Sequence, residues 1–270
     1  MSKAKVVVCG ALGRMGRMVT QAVLKRDDLE LFGLVEYPAC PQIGQKAGPL
    51  LGLDSLDITL KGSLKEAGAG ADVYIDFTSI ESSLAYLKEA EELGLAAVIG
   101  TTGLSEAERG ELKKSAARIP VLWAPNMSIG VNVMYKIAAA MARALGPDFD
   151  LEIVEAHHNQ KKDAPSGTAM KLYENLAEAR SLDRQKSLVS GREGQVGARS
   201  KDEIGVLAVR GGDIVGDHTV YFCGPGERLE LVHRAQTRET FAQGAVRAAA
   251  WLAAQKPGLY AVEDSLSLDF

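Results

Sequence analysis

The run Lys5-Val-Val-Val-Cys9 passes directly into Gly10-Ala-Leu-Gly13-Arg-Met-Gly16. From there it enters a stretch with Met15, Met18, Val19, Ala22 and Val23 at helical spacing. No other part of the chain limits the choice of fold as strongly. The run lacks polar alternation, as expected of a strand covered by helices on both faces. Glycine lets the backbone turn tightly at the strand's end. It also lets a pyrophosphate approach the amides of the helix N-terminus, where the helix dipole favours negative charge. A second strand candidate, Leu29 to Glu36, ends on an acid twenty residues beyond Gly16, a distance at which a carboxylate can accept hydrogen bonds from ribose hydroxyls. The spacing is G-x-x-G-x-x-G rather than G-x-G-x-x-G, so the glycines alone are a weak signal. Strand, turn, helix and acid in that order make Gly10, Ala11, Leu12, Gly13, Arg14, Met15 and Glu36 candidate cofactor residues. The competing reading keeps glycine for strand–helix packing and leaves Glu36 solvated.

The first 125 residues continue this alternation, which predicts a doubly wound parallel α/β sheet. Strand candidates are Asp72–Phe77, Ala96–Gly100 and Val121–Ala124; helices are predicted from Glu81 to Leu93 and from Ser105 to Arg118. The second opens on Ser105-Glu-Ala-Glu108, a capping-box spacing. Tyr37 to Gly52, rich in Gly and Pro, reads as loop. Gly100-Thr101-Thr102-Gly103 and Ala124-Pro125-Asn126-Met127 each follow a strand. In an open α/β sheet such positions border the ligand crevice, although ordinary turns would look the same.

From about Ile129 the pattern changes. An apolar helix is predicted over 130–145, an alternating strand over Leu151–His157 and a helix over Thr168–Arg180. Strands at 203–210, 218–223 and 227–235 are closely spaced and joined by Gly-containing turns, which suggests an antiparallel or mixed sheet. A tail helix spans Thr240–Ala254. The expected fold is therefore α/β, a Rossmann-type doubly wound parallel sheet plus a second α+β domain. The length of 270 residues accommodates two domains.

The second informative segment runs Glu155-Ala-His157-His158-Asn-Gln-Lys161-Lys162-Asp-Ala-Pro165-Ser166-Gly167-Thr168. Two of the chain's four histidines stand here with two lysines close behind, ahead of another helix N-terminus. Free amides and a lysine can hold a carboxylate or a phosphate, while a histidine exchanges a proton near neutral pH. If the strand runs through both histidines, they face opposite sides. The alternative is a solvated strand end followed by a helix cap. No third or fourth ligand stands at a spacing that suits a metal. His218 and His233 fall on predicted strands and read as structural.

Charge and cysteine usage exclude whole classes. Acidic residues number 35 against 31 basic, a net charge of −4, so the basic surplus of a nucleic-acid binder is missing. Cys9, Cys40 and Cys223 are few and scattered, as in a reduced cytoplasmic protein rather than a disulfide framework. No run reaches the roughly 20 apolar residues a membrane span needs, and a strand begins too early for a secretory signal.

Seven segments in order are similar to one family: Gly10–Gly16, Asp76-Phe-Thr78, Gly100–Gly103, Asn126-Met-Ser-Ile-Gly-Val-Asn132, Glu155–Thr168, Gly211-Gly-Asp-Ile-Val-Gly-Asp-His218 and Phe241-Ala-Gln-Gly-Ala245. Together they resemble the 4-hydroxy-tetrahydrodipicolinate reductase (dihydrodipicolinate reductase) family of lysine and diaminopimelate biosynthesis. The resemblance implies NAD(P)H-dependent reduction of 4-hydroxy-tetrahydrodipicolinate, a small cyclic dicarboxylate, to tetrahydrodipicolinate. It implies His157 as proton donor and Lys161 as a second catalytic donor. His158, Ser166, Gly167 and Thr168 would bind the dicarboxylate. Gly100, Thr101, Thr102, Ala124, Pro125, Asn126 and Met127 would contact the cofactor near the nicotinamide. It further implies a cytoplasmic homotetramer, with a dinucleotide-binding domain of 1–128 plus 240–270 and a substrate and oligomerisation domain of 129–239. Where members using both cofactors often carry arginine after the ribose-binding acid, this chain has Tyr37. NADH is therefore the expected preference, with NADPH possible through Arg14 or Lys46. A related amino-acid dehydrogenase and a non-catalytic dinucleotide sensor are the competing readings, and neither explains the histidine–lysine segment.

Overall fold

Val6, Val7 and Val8 are at most 1% exposed, because the strand they form lies inside a parallel sheet with helices on either side. The computed structural model describes residues 3–266. These divide into two compact units, residues 3–129 with 239–266, and residues 130–238.

In the first unit β1 (Ala4–Cys9) leads into α1 (Arg14–Leu24) and β2 (Leu29–Val35). Two five-residue helices follow, α2 (Ala47–Leu51) and α3 (Leu64–Gly68). The unit continues with β3 (Val73–Asp76), α4 (Ile80–Leu93), β4 (Ala96–Ile99), α5 (Glu106–Ser115) and β5 (Pro120–Trp123). The six-stranded order is β11-β5-β4-β3-β1-β2, with all pairings parallel; the edge strand β11 (Gly258–Tyr260) lies near the end of the described chain. The order reverses between β1 and β3, the topological switch point at which open α/β sheets bind ligands. The glycine turn and Thr78 stand at the ends of those two strands. Alternate residues Val7, Cys9, Tyr74, Ala97 and Ile99 form one apolar cluster with α3, α4 and α5. The capping box of α5 is present: Ser105 Oγ accepts from the Glu108 amide, and Glu108 Oε2 accepts from the Ser105 amide at 2.6 Å.

The stretch from Tyr37 to Gly52 departs from the loop expectation, since it contains α2. That helix is a product of tertiary contact. Gly48 lies so close to the Leu53 and Leu56 carbonyls that an added Cβ would come within 2.6 Å of each, and the Ala47 amide donates to Ile58 O.

The second unit contains α6 (Ile129–Leu145), β6 (Asp150–His157), α7 (Gly167–Ala179), β7 (Leu188–Val189), β8 (Ile204–Arg210), β9 (Gly216–Gly224) and β10 (Glu227–Ala235). α8 (Glu239–Leu252) returns to the first unit and packs on α1, β3 and β4. The second sheet is mixed, in the order β10-β9-β6-β8-β7. Only β9 and β10 form the hairpin that close spacing suggests. β8 lies parallel to β6, and β6 separates it from β9. The link over 211–215 must therefore cross the end of β6, where the Gly211 amide donates to His157 O at 3.0 Å and the Asn159 amide to Gly212 O at 3.2 Å. This crossing gathers the ends of β6 and β8 and the start of β9 at one place. On β6, Leu151 and Ile153 face the apolar core, and Glu155 takes the next inward position at 0% exposure.

Candidate active site

At the glycine turn, Gly10 adopts φ +67°, a region that L side chains rarely occupy. A Cβ on Gly16 would sit 2.0 Å from Gly10 O, so α1 can start this close to β1 only with glycine there. Gly13 is the N-cap of α1 and supplies no side-chain cap, so the first-turn amides of Arg14 and Met15 are left for an anion. Glu36, the acid that follows β2, is held by two amides. Its Oε2 accepts from the Leu12 amide at 3.1 Å and its Oε1 from the Tyr37 amide at 3.2 Å, with lone pairs remaining on both oxygens. Ala11 is fully buried, while Arg14 is exposed. Missed by the sequence reading, Arg17 braces the turn, donating to Leu12 O at 3.0 Å and to Leu50 O on α2 at 2.9 Å. The backbone thus fits a dinucleotide pyrophosphate.

The neighbouring loops are held by a buried polar network. Asp76, 0% exposed, accepts from the Thr78 amide at 2.8 Å and from its hydroxyl at 2.6 Å. It also accepts from Ser83 Oγ, which in turn meets Thr101 Oγ1 at 2.7 Å. Burial raises the Asp76 pKa above the ordinary carboxylate value, partly offset by these hydroxyl donors. The Thr101 hydroxyl is therefore committed internally, whereas Thr102 is exposed. A Cβ on Gly100 would lie 2.2 Å from the Phe77 ring, so any larger residue there would have to displace that ring. Ala124 and Met127 are buried, Pro125 is exposed, and Asn126 Oδ1 accepts from the Ser128 amide at 2.9 Å. Met127 is 1% exposed as a whole residue, and its carbonyl is closed off by α8, where a Cβ on Gly244 would fall 1.7 Å from the oxygen.

In the second unit the strand β6 ends at His157, so His158 lies beyond it, half-buried. His157 Nδ1 is 2.6 Å from Glu155 Oε2. A carboxylate only accepts, so Nδ1 carries hydrogen and Nε2 is the exchangeable position. Arg210 grips the same carboxylate with Nη1 at 2.7 Å from Oε2 and Nη2 at 2.8 Å from Oε1. The Ser166 amide donates to Oε1 at 2.9 Å. Burial alone would raise the Glu155 pKa, but Arg210, His157 and the Ser166 amide outweigh it and hold the group below the usual carboxylate range. Burial, the largest influence on His157, lowers its pKa. Glu155 pulls it up only part of the way, and Lys161 and Arg210 add to the lowering.

Ser166 is the N-cap of α7. Its Oγ accepts from the Ala169 amide at 3.2 Å and lies 3.1 Å from His218 Nε2. With 2% exposure, the hydroxyl holds the helix start in place. Gly167 is exposed, and a Cβ there would meet nothing within 4 Å, so the fold does not require glycine. Thr168 follows, half-buried. Lys161 Nζ pairs with Asp163 Oδ1 at 2.9 Å and is only 19% exposed in its side chain. His218, expected to be structural, is buried, yet it lies edge-on to His157 with ring centroids 5.2 Å apart; burial, with His157 adding, pushes its pKa down to about 3. His233 is opposite it in register on β10.

Sequence reasoning missed Glu155 and Arg210. The i, i+2 spacing of Glu155 and His157 was a usable signal, because alternate strand residues share a face. Arg210 had no local signal. Among the described residues, no group of three His, Cys, Asp or Glu side chains could hold a metal ion, and no helix is long and apolar enough to cross a membrane.

A family model described as dihydrodipicolinate reductase, N-terminus, matches residues 4–127, and one described as dihydrodipicolinate reductase, C-terminus, matches residues 130–266. A 4-hydroxy-tetrahydrodipicolinate reductase of Magnetococcus marinus is 50% identical over 262 residues, covering 97% of this chain and 98% of that protein. Its counterpart in Syntrophotalea carbinolica is 49% identical over 264 residues, covering 98% and 99%. Among solved structures, a dipicolinate-bound dihydrodipicolinate reductase from Paenisporosarcina sp. TG-14 shares the fold with a TM-score of 0.74 and 24% identity, covering 96% of this chain and 97% of that one.

Proposed function

We propose how this chain works from one premise: it belongs to the dihydrodipicolinate reductase family. Its activity is the NAD(P)H-dependent reduction of 4-hydroxy-tetrahydrodipicolinate to tetrahydrodipicolinate, in which the 4-hydroxyl departs as water, a step of lysine and diaminopimelate biosynthesis. The residue roles are our reading. The observation that carries them is His157, oriented through Nδ1 by a buried carboxylate at the start of α7.

In this reading the first-turn amides of α1, with Gly10, Gly13 and Arg14, receive the cofactor's pyrophosphate, and Glu36 receives its ribose. The backbone of 100–102 and 124–127 lines the nicotinamide end. A bound nicotinamide supplies the hydride. The amides of Gly167 and Thr168, with His158 and Lys161, hold the carboxylates of the small dicarboxylate. Lys161 would then exchange its contact with Asp163 for one with substrate. His157 delivers a proton from Nε2, a contribution of typically 10²–10⁴-fold, with Lys161 as the second donor. A low resting pKa makes His157 a strong acid once protonated. The arriving dianion favours that charged form, so kcat should persist to higher pH than kcat/KM.

NADH is the preferred cofactor in this reading. Glu36 repels a 2′-phosphate, Tyr37 brings no charge, and Lys46 is paired with Asp57 at 2.6 Å; NADPH use would depend on Arg14. We further read the protein as a cytoplasmic homotetramer joined through the second sheet. The nine-residue edge strand β10 exposes Leu229 by 42% and Val232 by 41%, and Val209 on β8 is 49% exposed. An edge strand of this length, on a sheet that leaves apolar side chains in solvent, invites association.

The test couples a fresh dihydrodipicolinate synthase reaction, which makes the unstable substrate in place, to oxidation of NADH or NADPH. Rapid oxidation that requires the synthase product supports the reading, and binding of NADH without turnover would sink it. A kcat/KM favouring NADPH would reverse the cofactor assignment.

A further inference from the structure

We propose that Glu155 and Arg210 are a positioning pair for His157: the carboxylate fixes which ring nitrogen exchanges the proton, and the guanidinium balances the carboxylate's charge. The inference rests on the reading of His157 as proton donor.

The geometry is that of a hub. Glu155 is fully buried, and each of its oxygens accepts twice: Oε2 from His157 Nδ1 and Arg210 Nη1, Oε1 from the Ser166 amide and Arg210 Nη2. Glu155 and His157 share a face of β6, Arg210 is the cross-strand partner of His157 on β8, and His218 is that of Glu155 on β9. The guanidinium also donates to Asp163 O at 2.8 Å, tying down the loop that carries Lys161. One carboxylate thereby joins the proton-bearing ring, the start of α7 and the lysine loop. A glutamine could not replace it, since its NH2 would face two donors whichever way it turned.

The charged and titratable groups facing His157 are Glu155 on its own strand, Arg210 from β8, His218 from β9, and Lys161 with Asp163 from the loop. Ser166 at the start of α7 adds a neutral cap. Of these, Glu155 alone touches the ring with a full negative charge, and its charge is shared with a bidentate arginine. Removing either member should therefore move His157 in opposite directions, which loss of packing would not do.

The experiment follows the His157 ring by NMR titration in the whole enzyme, alongside kcat against pH. Glu155→Gln is expected to lower the His157 pKa and Arg210→Met to raise it, each by about one pH unit for a charge removed at this range. Arg210→Lys keeps the charge but loses the two-point grip, so a smaller rise is expected. Should Glu155→Gln fail to fold, the two arginine variants decide the direction by themselves. A His157 pKa that stays put, or falls in the arginine variants, would overturn the pairing. If the titrations move as expected while the alkaline limb of kcat stays still, the pairing stands and the proton-donor reading fails.

Discussion

In the first unit the candidate anion site is made almost wholly of backbone, while the site in the second unit is made of side chains. Around Gly10–Gly16 the working parts are amides, a tight turn and one carboxylate held by two further amides. Around His157 they are a carboxylate, a guanidinium, two imidazoles and a serine, each engaging another. A backbone site tolerates changes of chemistry but not an added methyl, because amides need only room. A side-chain site is sensitive above all to a change of charge or donor count. Each can be broken in a way that leaves the other standing.

The largest effect is expected from His157→Gln, which keeps the shape and removes the exchangeable proton. Turnover should fall by on the order of 10²-fold or more, with KM for the dicarboxylate little changed; near-normal kcat would remove His157 from the chemistry. Gly16→Ala should follow, since the new methyl meets the immovable Gly10 carbonyl. A stability loss of about 1–3 kcal/mol and weakened NADH binding by fluorescence titration are expected. Gly167→Ala, where the methyl meets open space, should leave the melting temperature unchanged and weaken substrate binding alone. Equal losses of stability in the two variants would erase the contrast.

Acid stability tests the side-chain site by itself. His218 has a folded pKa of about 3 against its ordinary 6.5, so the unfolded chain binds the proton more readily. Its contribution is complete above about pH 6.5 and is lost as pH falls toward 3, by at most about 1.4 kcal/mol per pH unit. His218→Gln, which can keep the bond to Ser166, should flatten the fall in Tm between pH 6.5 and 4; an unchanged slope would assign that fall to other groups. The smallest effect belongs to the cofactor rim. Tyr37 is 50% exposed, and Tyr37→Arg should raise kcat/KM with NADPH roughly tenfold, the worth of one exposed charge-assisted bond, while leaving the His157 site untouched. No gain with NADPH would place the discrimination elsewhere, at Glu36 or Arg14.

The two sites were legible to different degrees for the same reason that they differ in make. The glycine turn is local: strand, turn, helix and acid follow one another, and each leaves its mark within a few residues. The segment from Glu155 to Thr168 was also visible as a cluster, including the cap at Ser166. Its wiring was not. Arg210 meets Glu155 only because β8 lies parallel to β6 in a particular register. His218 reaches Ser166 only because β9 flanks β6 on its other side. Close spacing of strands suggested neighbours along the chain, and insertion of β6 between β8 and β9 broke that expectation. The short helix α2 was hidden for a related reason: with Gly48 and Pro49 in it, its propensity is poor, and packing on 53–58 creates it.

By itself, then, the sequence determined the doubly wound first sheet, the anion-ready turn, and a histidine and lysine placed before a helix N-terminus. All of these arise from periodicity and turn chemistry within one segment. The tertiary structure decided which groups touch His157, and so what its proton is worth. That depends on strand register across fifty residues, and hydrogen bonds respond to distance in space rather than in sequence.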